Sequence, residues 1–73
     1  MNEYETSDLA LAAFLLMHDL VLVRADKLPS GKFRFIFNDP DDKAVGLSMS
    51  FINSDFVKFD NHIRNLKKLV HRK

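Results

Sequence analysis

Nine consecutive residues, Leu9-Ala-Leu-Ala-Ala-Phe-Leu-Leu-Met17, carry no charge and are built from Leu, Ala, Phe and Met. All but Phe are strong helix formers. Thr6 or Ser7 just ahead can accept a hydrogen bond from a backbone N–H one turn on, and Asp8 sets a negative charge at the positive end of the helix dipole. Apolar side chains cover the whole circumference. The run therefore reads as a core helix from Thr6, to be covered by the domain on most of its sides. Spanning a bilayer takes about 20 apolar residues, so this run does not read as a membrane span. It should stop near His18-Asp19, because Asp tolerates the left-handed conformation that ends a helix.

A chain of 73 residues makes one domain, here residues 1–73, near the lower limit for stability from a core alone. Domains this small use disulfides, a metal or an unusually apolar core. Cysteine is absent, which removes disulfides and thiolate metal sites, so the core must suffice. The 47% hydrophobic content with seven Phe agrees. Asn2-Glu3-Tyr4-Glu5 is acidic where a secretory signal would be basic, and a cytoplasmic location is expected.

The rest of the chain reads as an α+β order around that helix. Leu20–Val23 is a short β-branched run that Arg24–Leu28 continues with more polarity, Pro29-Ser30-Gly31 a turn, and Lys32–Phe37 a clean alternation. Phe33, Phe35 and Phe37 share one face of this hairpin, and Lys32, Arg34 and Ile36 the other. Val45, Leu47, Met49 and Phe51 alternate like a strand. However, Asp39-Pro40-Asp41-Asp42 has the cap, proline and acids of a helix start. Helix is the reading preferred for this stretch, although Gly46 weakens it. Asp55–Lys58 reads as a short edge strand. Phe59, Ile63, Leu66 and Val70 then recur at helical spacing in a C-terminal amphipathic helix. The expected core is Leu11, Phe14, Leu15, Phe33, Phe35, Phe37, Ile63 and Leu66, with Met17 and Met49 as filler.

Tyr4-x-Thr6-Ser7-Asp8-Leu9-x-Leu11-Ala12-Ala13-x-Leu15, followed by an aromatic strand, resembles a family of very short bacterial and bacteriophage proteins known only as a domain of unknown function. Phe51-Ile52-Asn53 and Ile63-x-x-Leu66-Lys67-x-Leu69 are similar to later parts of its pattern. The resemblance implies helix, two strands, helix, short strand, helix, and it favours the helix over residues 43–52. Members often carry Gly where this chain has His18-Asp19. It implies accessory or host-modifying roles and transfers no activity or site residue.

No catalytic constellation stands out: there is no nucleophile elbow, Gly-rich phosphate loop, HExxH or CxxC. His62 and His71 lie nine residues apart, about 13 Å along a helix, too far to share a metal. Asp39–Asp42 lacks the glycine and terminal glutamate of a calcium loop. The expectation is a non-enzymatic chain without cofactor or metal, and no small-molecule substrate is evident.

The net charge of +1 conceals an asymmetry. Residues 1–19 hold Glu3, Glu5, Asp8 and Asp19 without a Lys or Arg; residues 58–73 hold six cations against Asp60. On the last helix, Arg64, Lys67, Lys68 and Arg72 fall on the side away from the apolar stripe, with Lys73 following. Such a face can neutralise phosphates, or it can simply be solvated. The first expectation is a binding module acting through a protein partner or self-association, by a hairpin edge or the Ile36 face. The alternative is a nucleic-acid-binding accessory protein using Arg64, Lys67, Lys68, Arg72 and Lys73.

Overall fold

A computed structural model describes residues 2–71 of the chain. The order is β1 (Glu3–Thr6), α1 (Leu9–Met17), β2 (Val21–Lys27), β3 (Phe33–Asn38), α2 (Ala44–Ile52) and α3 (Asp55–Val70). The fold is α+β, with the three strands in one antiparallel sheet ordered β1-β3-β2.

The chain begins as a strand. Glu3, Tyr4, Glu5 and Thr6 pair with Asn38, Phe37, Ile36 and Phe35, so β1 closes the open edge of the hairpin. Helix α1 then starts at Leu9 and not at Thr6. Its cap is Asp8, whose carboxylate accepts the Leu11 N–H at 3.1 Å; the Thr6 hydroxyl accepts from the Asp8 N–H. The helix stops where expected. Asp19 takes φ 69°, its N–H donates to the Leu16 carbonyl, and the Leu20 N–H donates to that of Leu15. That pair of bonds is a Schellman closure made without glycine.

Helix α1 is covered on one side only. Leu11, Ala12, Phe14 and Leu15 are buried with Leu20, Phe37, Ala44 and Phe51, while Leu9, Leu16 and Met17 stay exposed. The core is thus smaller than the Phe-rich hairpin promised. Phe37 is fully buried and Phe35 packs partly against the cluster, but Phe33, at the far end beside the turn, is 45% exposed. Helices α1 and α2 cover only the β3 end that holds Phe37. Ile36 on the opposite face is 3% exposed, so that face is not an open docking surface. There Glu5, Arg24, Arg34 and Asp26 form an ion-pair network. Arg24 Nε and Arg34 Nη2 donate to Asp26 Oδ2 at 2.9 and 3.3 Å, and Glu5 lies 3.8 Å from Arg34 Nε. A register shift at Val23 helps to turn Arg24 onto this face.

Residues Ala44–Ile52 are helical as expected, but the helix does not start at Pro40: Pro40 and Asp41 lie in a turn, Asp42 takes φ 55°, and the first helical turn holds no acid. The buried Asp39 carboxylate accepts the N–H groups of Lys43 at 2.8 Å and Ala44 at 3.1 Å. These bonds leave that carboxylate committed to the helix start, not to a cation. The expected edge strand at Asp55–Lys58 is instead the first turn of α3, because Ser54 caps it and accepts the Phe56 N–H at 3.2 Å. Ser54 and Asp55 supply a cap and a first-turn acid, and this chemistry outweighs the β-like Phe56-Val57 pair.

Helix α3 contributes no fully buried residue. Phe56 meets Phe14 edge-on with ring centroids 5.7 Å apart, and Ile63 is half-buried. Leu66, expected in the core, is 59% exposed. The reason is length. Nine-residue α1 reaches about 13 Å, whereas sixteen-residue α3 reaches about 24 Å and outruns its cover. The radius of gyration, 13.7 Å, exceeds the roughly 11 Å of a compact domain this size.

Candidate functional site

Helices α1 and α3 lie antiparallel: Phe14 meets Phe56 near one end, and Arg64 Nη2 lies 3.8 Å from Asp8 Oδ1 near the other. Between them runs an open groove of about 350 Å³. Leu9, Ala13 and Met17 form the α1 wall, Phe56, Phe59 and Ile63 the α3 wall, and Phe51 contributes from α2. Only Asp60 and Lys67 bring charge to it. Small Ala10 and Ala13 on α1 leave the width. Met17 was expected as filler; it lines this groove instead, and Met49 is also exposed.

The apolar lining continues beyond the groove. Leu66 is 59% exposed and Val70 74%, and Leu69 is also bare. A surface of this extent on a small domain marks a place that another apolar surface can cover. The signal was already present in the Leu9–Met17 run, apolar all round. The sequence contains too few further residues to surround it.

The sequence-derived basic residues divide. Arg64, Lys67 and Lys68 do lie together, around a shallow polar depression that also includes Asn61 and Asn65. Arg64 is not free: its Nε lies 2.9 Å from Asp60 Oδ2 in an ion pair, and Asp8 stands beside it. Lys67 turns toward the apolar groove as well. Lys68 is exposed, while Arg72 and Lys73 fall outside the described residues. Among the described residues no group of three His, Asp or Glu side chains is placed to hold a metal ion. No helix among them is long and apolar enough to cross a membrane.

A three-stranded sheet, a half-covered central helix and an open apolar groove define a small α+β domain with one unfilled face. The chain belongs to the family described as a domain of unknown function, DUF5659, whose model matches residues 1–72. No curated protein and no solved structure matches it.

Proposed function

We propose that the chain is a non-catalytic protein-binding module acting in the cytoplasm, in an accessory or host-modifying role of phage or mobile-element type. The observation that supports protein binding is the α1–α3 groove with its exposed continuation along α3. Burying apolar surface yields about 25 cal/mol per Å², and a partner helix or a second apolar face is the natural cover. The test compares the tagged wild-type chain with Leu66→Lys and Met17→Lys in self-association and in affinity capture from host lysate. Protein held by the wild type should be lost from both variants and kept by Lys68→Gln. A monomeric wild type that captures no protein in a groove-dependent way would overturn this reading.

Nucleic-acid binding through α3 is the second reading, favoured by the meeting of Arg64, Lys67 and Lys68 around Asn61 and Asn65. The carboxylates of Asp60 and Asp8 beside Arg64 weaken it, since they already neutralise part of that charge. If it holds, affinity for duplex DNA should fall with salt at a log–log slope near −0.9 for each phosphate neutralised. Lys68→Gln should then flatten the slope by about one.

A further inference from the structure

From the uncovered end of α3, we infer that this helix anchors the chain to an anionic lipid surface. Leu66, Leu69 and Val70 enter the acyl boundary of the bilayer, and the neighbouring lysines take its headgroup phosphates. The inference goes beyond the groove reading and uses other apolar residues. Lys67 is the last α3 residue to reach the α1–α3 groove, and Arg64 meets Asp8 at the start of α1. Past that point α1 gives no cover, and every residue from Arg64 to His71 is exposed.

Charge identifies what covers this end. Asp8 and Asp60 both stand against Arg64. After Asp60 the acids stop: Asn61 to Lys73 holds Arg64, Lys67, Lys68, Arg72 and Lys73 but no Asp or Glu. The stretch of α3 that loses its protein cover is therefore also the stretch with cations and no acid. It is apolar along one side. At 100° per residue Leu69, Leu66 and Val70 fill an arc of about 100°, and Lys67 follows about 60° past Val70, with Lys68 on the opposite face. Lysine stems lie along apolar surface and carry the ammonium up to the headgroups.

The candidate covers differ in what they leave unmet. A duplex attracts the cations but leaves the three apolar side chains in water. A polypeptide partner must bring an apolar strip bordered by acids of its own. An anionic bilayer supplies both halves at once, an acyl boundary and a layer of phosphates, and the cytoplasmic leaflet carries such lipids. A helix with cations on its polar side and bare aliphatic residues on the other lies in the plane of the interface. Crossing is a different matter, and α3 is not long and apolar enough for it.

Co-sedimentation of the full chain with vesicles at physiological ionic strength tests the inference. The chain should pellet with vesicles of equal parts phosphatidylcholine and phosphatidylglycerol, and stay in solution with phosphatidylcholine alone. Lys67→Gln and Lys68→Gln should each lower partitioning about fivefold. Leu66→Gln and Leu69→Gln should each lower it about tenfold. Met17→Gln, at the other end of the groove, should leave it unchanged. Leu66 and Leu69 are exposed, so these variants keep their fold, which circular dichroism confirms. The chain has no Trp, so Leu69→Trp supplies a single reporter whose emission should shift to the blue on the mixed vesicles. A wild type that stays in solution with the mixed vesicles overturns the inference, and retention on duplex DNA alone assigns the cations to nucleic acid instead. Partitioning that falls with Lys68→Gln yet ignores Leu66→Gln and Leu69→Gln also overturns it, because that contact is electrostatic only.

Discussion

Phe37 sits where all three strands meet, flanked by Tyr4 on β1 and Leu22 on β2, with the α1 and α2 side chains packed over its ring. Phe37→Ala should therefore cost about 3–5 kcal/mol, enough to unfold a domain this small. Leu66→Ala should cost less than about 1 kcal/mol, because most of that side chain is already in water. Thermal melts of the two variants at low concentration check the contrast, and equal losses would mean that α3 is packed far more deeply than described. Alternation in Lys32–Phe37 identified the face of Phe33, Phe35 and Phe37 but not how far along it the cover extends. Nor did it reveal that Ile36 would be buried behind, since that depends on strand β1 and the salt-linked side chains of Arg24 and Arg34. Asp26 in that network titrates below the usual carboxylate range. The Arg24 hydrogen bond is the largest cause, with help from Arg34, and desolvation opposes it. A depressed folded pKa means stability that is present above the unfolded value near 3.9 and lost as pH falls through the lower folded value. NMR titration should show the Asp26 carboxyl with a midpoint below that value, and Arg24→Gln should move it upward.

Among the elements, the end of α1 and the presence of α2 were legible because their signals are local, whereas the starts of α1 and α3 were not. Asp19 ends α1 and Asp39 starts the turn that leads into α2, each by a bond its own side chain or backbone makes. Strand β1 was missed because four residues carry little periodic signal, although Tyr4 and Thr6 do alternate with Glu3 and Glu5. Asp55–Lys58 was misread for the opposite reason: β-prone Phe56 and Val57 outweighed a cap at Ser54 that can be recognised from its type alone. The strand-like alternation of Val45, Leu47, Met49 and Phe51 is overridden by the Asp39 cap, and the helix retains Gly46 in its first turn. A Cβ there would meet nothing within 4 Å. Gly46→Ala should therefore stabilise the fold by about 0.5–1 kcal/mol, chiefly by restricting the unfolded chain. Chemical denaturation should show a higher midpoint with an unchanged slope. A lower midpoint would mean that some partner surface crosses α2 at that point.

For the whole molecule, the decisive property is the mismatch between apolar supply and the surface available to cover it. Two short helices and three short strands bury Leu15 and Phe37 completely, yet the sixteen residues of α3 contribute none that is fully buried. The groove was only half legible in the sequence. A helix apolar on every side signalled that something must cover it, but which residues remain bare depends on how far α3 outruns α1. If the protein partner that covers them is a second copy, folding and association are linked, and stability must rise with concentration by mass action. For two chains of 73 residues unfolding together, the entropy of unfolding is about 0.3 kcal/mol per kelvin. A hundredfold rise in concentration favours the dimer by about 2.7 kcal/mol. The melting temperature should then climb by roughly 9 °C between about 5 and 500 µM. Leu66→Lys, which leaves the buried cluster untouched, should remove that slope and leave a melting temperature independent of concentration. Melts of the wild type that superimpose across the range would show that folding of this chain is complete without a second copy.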